Sequence, residues 1–326
     1  MNERKIVICD LDHKDVEQER AVFEENGYDF EWLHCKTQEE VIKNCQGAEV
    51  LLNQYVRMDK TIFEALPTVK CVIRYGVGYD NINLEDASKY GVQACNIPDY
   101  GTREVANHAL AMMMTLVRKI ALSNKLIRNG IWDYQKGIPI FRLSDCTVGI
   151  CGMGRIGTVF ANSVRALGCK VIAYDIEYQS TSREFPDFVE FVSFEEMIER
   201  SDIISIHCPL NEQTYHSFSK KEFDVMKDST YIINVSRGGI IDEDALLDAL
   251  KNNKIAGAGI DVVEHEPMQS NNPLLAFDNF IISPHTAWYS EQSALELKKK
   301  TAEEAVRFLK RENLHYPVNN LKGNII

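Results

Sequence analysis

Three polar segments of this sequence each follow a short run of apolar residues, and each carries a group that can act on a carboxylate or a carbonyl. Asn234-Val235-Ser236-Arg237-Gly238-Gly239 offers a guanidinium. Asp261-Val262-Val263-Glu264-His265-Glu266-Pro267 offers a carboxylate before a proline. Ser283-Pro284-His285-Thr286-Ala287-Trp288 offers an imidazole. A guanidinium fork grips a carboxylate bidentately and polarises the carbonyl beside it. An imidazole donates a proton to a developing alkoxide. A carboxylate next to that imidazole orients it and favours its protonated form. Singly, Arg237 reads as a surface arginine, Glu266 as turn punctuation and His285 as a satisfied core histidine. On three successive strand ends they read together as an acid–base site. His265 carries no catalytic reading, and His108 reads as a structural residue on a helix face.

A second constellation is Val148-Gly149-Ile150-Cys151-Gly152-Met153-Gly154-Arg155-Ile156-Gly157, a strand running into G-x-G-x-x-G and then a helix. Alone the motif is weak. Here a striped helix follows it, Gly168 stops that helix, and a further strand ends in Asp175, about 18 residues beyond Gly157. Gly152 permits the tight turn, Gly154 lets backbone approach a pyrophosphate, and Gly157 lets helix and strand pack closely. The helix N-terminus supplies free N–H groups and partial positive charge, at Arg155 and Ile156. Asp175 can accept both ribose hydroxyls of NAD and would repel the 2′-phosphate of NADP. Ile176 and Glu177 offer no compensating cation, and the nearest arginine is Arg183.

The elements that must hold these groups follow from periodicity. Continuous apolar runs at 6–9, 50–52, 69–73, 148–151, 171–174, 203–207, 231–235 and 280–282 suggest strands buried on both faces of parallel sheets. Helical stripes alternate with them, as at 156, 159, 160, 164 and 167. The expected fold is therefore α/β, with two doubly wound parallel-sheet domains, one of them a Rossmann dinucleotide-binding domain, and a cleft between them. The breaker-rich Ile97-Pro98-Asp99-Tyr100-Gly101 precedes a helical pattern at 105, 109, 113, 116 and 120, which places a hinge there. A charged amphipathic helix over 290–310 is expected to return to the first domain. The boundaries are then 1–100 plus 289–326 for a discontinuous substrate domain, and 101–288 for the NAD-binding domain.

Composition removes several partners. With 36 basic and 48 acidic residues, the formal net charge of −12 argues against nucleic acid and anionic membranes. The longest apolar stretch, 109–114, falls far short of a membrane span. Nine cysteines, without C-x-x-C spacing, argue against a disulfide framework or a zinc site, so no metal is expected. Met1-Asn2-Glu3-Arg4-Lys5 leads straight into a β-type run without the apolar core of a signal peptide. A reducing cytoplasm is the expected location.

These motifs together resemble the D-2-hydroxyacid dehydrogenase family, nearest to its branch of C-terminal-binding protein corepressors. The resemblance rests on Arg74-Tyr75-Gly76-Val77-Gly78-Tyr79-Asp80-Asn81, the glycine motif, His207-Cys208-Pro209-Leu210, Arg237-Gly238-Gly239, Glu266-Pro267, and Pro284-His285 followed by Ala287-Trp288-Tyr289-Ser290-Glu291-Gln292, in family order over about residues 50–320. It implies NAD-dependent reversible hydride transfer with a small 2-keto acid, and it puts the family's catalytic trio on Arg237, Glu266 and His285. Formate dehydrogenases of the family carry Gln in place of the Glu, so Glu266 argues against that chemistry. The resemblance also implies cofactor contacts at Thr102, His207, Cys208, Pro209, Val235, Ser236 and Asp261. It implies a substrate shell of Arg74, Tyr75, Gly76, Val77 and Gly78, whose N–H groups would hold a carboxylate. Trp288, three residues past the histidine, is expected to line the pocket or to pack as a core aromatic. The segment 121–135 resembles the family's dimerisation arm, so a homodimer is expected. Two other functions fit the same motifs: an NAD(H)-sensing corepressor-like regulator, and a phosphoglycerate or glycerate dehydrogenase.

Overall fold

The computed structural model describes residues 5–178 and 180–321; residues 1–4, on which the leader reading partly rests, lie outside it. The chain divides into two compact units, one running to Gly101 and resuming at Ser290, the other spanning Thr102–Tyr289.

The first unit alternates strand and helix: β1 (Lys5–Asp10), α1 (Glu17–Glu25), β2 (Phe30–Trp32), α2 (Gln38–Asn44), β3 (Ala48–Asn53), α3 (Lys60–Ala65), β4 (Cys71–Arg74), α4 (Leu84–Lys89) and β5 (Gln93–Cys95). Its strands form a parallel sheet in the order β2-β1-β3-β4-β5. Helix starts are written in the sequence: Thr37, Asp59 and Asn83 each accept a first-turn N–H.

The second unit opens on α5 (Thr102–Val117) and α6 (Ile120–Arg128). It continues through β6 (Thr147–Cys151), α7 (Arg155–Ala166), β7 (Lys170–Tyr174), β8 (Glu190–Phe191), α8 (Phe194–Arg200) and β9 (Ile203–Ile206). It ends with α9 (Lys220–Val225), β10 (Tyr231–Asn234), α10 (Glu243–Lys251), β11 (Gly257–Ile260) and β12 (Phe280–Ile282). The seven strands are parallel, in the order β12-β11-β10-β9-β6-β7-β8. One face of the sheet packs against α8, α9 and α10 through Met197, Phe223 and Leu246, and the other against α5 and α7 through Met113 and Phe160. The final helix, α11 (Glu291–Lys310), is capped by Ser290 and packs on α1, β3 and β4 of the first unit.

Two sequence expectations need correction. The stripe 105, 109, 113, 116 is buried on α5, but position 120 does not continue it. Lys119 takes a left-handed φ of 54° and ends the turn, so Ile120 opens α6 and is 58% exposed. Likewise Leu167 falls at the C-cap of α7 and lies outside its buried face. The described residues hold no helix long and apolar enough to cross a membrane.

Candidate active site

Because β10, β11 and β12 are adjacent and parallel, their C-terminal ends line up, and Arg237, Glu266 and His285 lie on the segments that follow them. Open α/β sheets bind ligands at that edge. The local packing depends on Gly238: a Cβ there would lie 1.9 Å from the Val263 carbonyl carbon and 2.4 Å from Glu264 N. Only glycine lets the Arg237 turn lie against the 263–266 segment. His285 Nδ1 meets Glu266 Oε2 at 2.8 Å, with side chains 33% and 38% exposed, so the pair is formed yet open to a substrate. Burial pushes the Glu266 carboxyl upward. The hydrogen bond and charge of His285, the Val263 N–H and the Arg237 charge outweigh it and hold the group below its ordinary value. Arg237 Nη1 donates to Ser236 O at 2.9 Å, which sets the base of the guanidinium fork.

His285 itself sits at a left-handed φ of 52°. For a residue with a Cβ this costs about 1–2 kcal/mol, so the surroundings must enforce it. Asp261 does so. Its carbonyl accepts His285 N at 2.8 Å. Its carboxylate accepts Thr286 N at 2.9 Å, Ala287 N at 2.8 Å and the Ser283 hydroxyl at 2.5 Å. Asp261 is only 2% exposed, so the carboxylate expected on the nicotinamide side is spent on the histidine loop. Behind Ser283 stands His108, with Nε2 2.8 Å from the hydroxyl. From the sequence alone, His108 reads as a structural residue on a helix face.

The glycine loop fits a dinucleotide. Gly152 has φ of 97°, and a Cβ there would lie 2.7 Å from Cys208 N; one on Gly157 would lie 2.1 Å from Gly152 O. Packing alone therefore demands both. A Cβ on Gly154 would meet nothing within 4 Å, and no side chain caps α7 there. The space and the first-turn N–H groups, beside Ile156 and the exposed Arg155, are left for an anion from outside the chain. Asp175 follows β7, accepts Met153 N at 2.7 Å and Glu177 N at 2.9 Å, and so ties the position expected to hold a ribose to the glycine turn. Sequence distance hid one feature: Arg183 returns to place Nη2 3.3 Å from Asp175 Oδ2. Asp175 does have a cation at hand.

His207 is a correction of another kind. Its backbone borders the glycine turn, but its ring turns inward, with Nε2 2.8 Å from Ser205 Oγ and the ring centroid 5.1 Å from that of Phe160. Burial pushes its pKa down to about 3, so the side chain stays neutral and structural. Cys208 Sγ lies 3.8 Å from Cys151 Sγ beneath the turn, and Ser236 Oγ donates to Cys208 O. Val235 is buried in the core, whereas Pro209 is exposed. Thr102 is the first residue of α5, partly exposed.

In the first unit, Gly76 has φ of 130°, and a Cβ would fall 1.7 Å from Arg74 Nη1, so glycine makes room for the guanidinium over the loop. Tyr75 does not serve as an anion donor. Its N–H goes to Asn53 O at 2.8 Å and its hydroxyl to Glu19 Oε1 at 3.0 Å, and it is 1% exposed. Strand alternation continues through position 75 and turns the ring into the core. Val77 and Gly78 remain partly exposed. Trp288 packs half-buried against the second unit's core and edge-on to Tyr289, ring centroids 5.5 Å apart.

Sequence reasoning also passed over His216, Asp242 and Glu264, whose ligand atoms lie within 4.8 Å of one another. His216 Nε2 pairs with Glu264 Oε1 at 3.0 Å, Glu264 also accepts Glu243 N, and Asp242 caps α10. The group braces the segment that carries Glu266.

Comparison with known proteins identifies the family. Residues 110–287 match the family model "D-isomer specific 2-hydroxyacid dehydrogenase, NAD binding domain". A glyoxylate reductase of Korarchaeum cryptofilum is 35% identical over 84% of this chain and 82% of its own length. A hydroxypyruvate reductase of Blautia hydrogenotrophica is 34% identical over 83% and 85%. The solved D-lactate dehydrogenase of Aquifex aeolicus, complexed with NAD and lactic acid, superposes with a TM-score of 0.84 at 27% identity, over 94% of this chain and 95% of that one. The chain belongs to the D-isomer-specific 2-hydroxyacid dehydrogenases, and it is an NAD-dependent oxidoreductase of 2-hydroxy acids.

Proposed function

We propose that the preferred reaction is reduction of a short 2-keto acid of the glyoxylate or hydroxypyruvate type, with Arg237, Glu266 and His285 as its catalytic residues. The observation that carries this reading is the 2.8 Å bond from His285 Nδ1 to Glu266 Oε2 on the strand-end edge of the dinucleotide-binding unit. Bound NADH supplies the hydride. Arg237 grips the substrate carboxylate and draws electron density from the neighbouring carbonyl. With Nδ1 committed to Glu266, His285 has Nε2 to present to the carbonyl oxygen, and it gives up that proton as the alkoxide forms. The Glu266 carboxylate balances the imidazolium before transfer and fixes the ring's orientation after it. Thr102 and the first turn of α7 hold the cofactor phosphates, and Asp175 holds the ribose. Arg74 with the N–H groups of Gly76, Val77 and Gly78 forms a further carboxylate-holding segment in the first unit, and Trp288 bears on the size of the substrate tail. The two units thus take substrate and NAD-binding roles.

The same reading includes a homodimer in a reducing compartment such as the cytoplasm. Segment 121–135 leaves Trp132 90% and Tyr134 82% exposed, with Ile127 also exposed. Apolar side chains so exposed mark an association surface. All nine cysteines are unpaired. The test is a panel of 2-keto acids followed by NADH consumption: turnover fastest with glyoxylate or hydroxypyruvate is expected. NADH binding without turnover on any of them would overturn the enzyme reading in favour of a regulatory one.

A further inference from the structure

We infer that His108 is a positioning residue for the catalytic histidine, acting through Ser283 and Asp261. The inference rests on the proposed role of His285 as proton donor.

The proton arrangement follows from the donors and acceptors. The Asp261 carboxylate accepts two backbone N–H groups, so it acts as an acceptor, and the Ser283 hydroxyl proton must point at it across 2.5 Å. The hydroxyl's lone pairs then face His108 Nε2 at 2.8 Å, which must be the donor. His108 therefore carries its proton on Nε2, 3.6 Å from Asp261 Oδ1. A directed chain runs from His108 through Ser283 to Asp261, and from Asp261 to the three consecutive backbone N–H groups of residues 285–287.

That chain ends on the one segment that holds a non-glycine catalytic residue in the left-handed region. Without a donor behind it, the Ser283 hydroxyl is free to rotate, and Asp261 loses one of its fixed partners. The loop then relaxes around His285 while Glu266 still holds Nδ1, so the ring stays present but its Nε2 is aimed less well. Helix α5, which carries His108, packs on α7, β10 and β11, a firm base for such a tie. Burial does not force the bond: the His108 side chain is 27% exposed, and its neighbours Val105, Ala109 and Met112 show that this helix takes apolar residues freely.

The test uses the full-length enzyme with NADH and whichever 2-keto acid it turns over. His108→Ala is expected to lower kcat about 10- to 100-fold, the scale of a misplaced catalytic group, with KM for the keto acid and the dissociation constant for NADH, from fluorescence titration, within about threefold. His108→Gln, whose amide nitrogen can stand where Nε2 stood, should recover most of kcat. Ser283→Ala should lose as much as His108→Ala, and the double variant should lose no more than either. Unchanged kcat in His108→Ala, equal loss in the Gln variant, or multiplying losses would each overturn the inference. His285→Ala is measured alongside. If it lowers kcat by about two to four orders of magnitude while His108→Ala leaves kcat unchanged, only the positioning role fails; if it leaves turnover intact, the proton-donor reading fails with it.

Discussion

Asp10 and Asp261 stand at the same kind of place, one in each unit. Asp10 ends β1 and Asp261 follows β11; each is flanked by parallel strands and nearly inaccessible, at 4% and 2%. Each carboxylate accepts donors from the loop after a neighbouring strand. Asp10 takes Gln54 N at 2.7 Å, Tyr55 N at 2.5 Å and Val56 N at 2.8 Å, beyond β3. Asp261 takes Ser283, Thr286 and Ala287, beyond β12. A buried carboxylate is thus a general way to fix a loop at the edge of a parallel sheet. The difference lies in what is attached. The Asp10 carboxylate takes three backbone donors and, at 3.5 Å, the Cys9 thiol, and the loop it holds presents Tyr55. The Asp261 loop carries His285, the proposed proton donor, in a left-handed conformation and has a second polar layer, Ser283 and His108, behind it.

The sharpest break of this comparison is His285→Ala. A loss of two to four orders of magnitude in kcat is expected, the range for removal of a general acid–base group, with NADH affinity retained. Steady-state kinetics with a fluorescence titration check both parts. If turnover survives, the Asp261 loop is no more catalytic than the Asp10 loop.

Next come the two aspartates themselves. Asp261→Asn keeps the shape but gives one oxygen the wrong polarity, and kcat should fall about tenfold or more by the same misplacement argument. Asp10→Asn should instead lower stability by about 1 kcal/mol, the scale of a net hydrogen bond, with little change in kcat per folded molecule. The cost stays small because burial already pushes the Asp10 carboxyl above its ordinary range despite the N–H groups from Tyr55, Val56 and Gln54, so a neutral amide avoids part of that penalty. Thermal melts beside kinetics separate the two cases. Equal effects on kcat from both would erase the distinction drawn between the loops.

The sequence carried the comparison only halfway. The glycine turn was legible because steric demands at Gly152 and Gly157 leave a fixed spacing in the chain. That Arg237, Glu266 and His285 follow three strands of one sheet edge was legible because parallel strands of similar length bring successive strand ends together. The edge strands β2, β5 and β8 were not, being two or three residues long and partly polar. Nor was the His108 tie, whose partner Ser283 lies 175 residues away and shows no periodicity with it. Arg183 reaches Asp175 by a turn whose geometry no local rule fixes, and Tyr75 was misread because a conspicuous loop residue still obeyed strand alternation.

A third aspartate extends the pattern. Asp175 also accepts backbone N–H groups, from Met153 and Glu177, but it keeps an ion pair with Arg183 instead of a polar layer beneath it. Asp175→Ala should weaken NADH binding about tenfold, roughly 1.4 kcal/mol for lost charged hydrogen bonds. NADPH binding should weaken less or improve, since repulsion of the 2′-phosphate disappears while Arg183 remains. Parallel fluorescence titrations with the two cofactors read the ratio directly. An unchanged ratio would mean that Asp175 only clamps the glycine turn, as Asp10 clamps its loop.

The smallest effect belongs to a carboxylate that lacks the clamp altogether. Glu19 is fully inaccessible on α1; its Oε1 accepts the Tyr75 hydroxyl, and its Oε2 is buried with no hydrogen-bond partner among the described residues. Burial raises its pKa from an ordinary 4.5 to about 7, against smaller lowering effects that include the Tyr75 bond and the charge of Lys298, which is itself paired with Asp15 at 2.5 Å. In the window between those values the folded chain keeps the proton that the unfolded chain releases. The contribution of Glu19 to stability is therefore fully present below pH 4.5, is lost as pH rises toward 7, and stays flat above. Glu19→Gln cannot titrate and keeps an acceptor for Tyr75. Its stability relative to the native chain should be about equal near pH 4.5 and should rise by about 1 kcal/mol by pH 8, a figure set well below the full linkage value because part of that penalty relaxes in a real interior. Denaturant melts at the two pH values measure the difference. A gain of the same size at both would show that Glu19 is not the titrating group, and a loss at both would show that its charge is satisfied in the fold, as those of the clamped aspartates are.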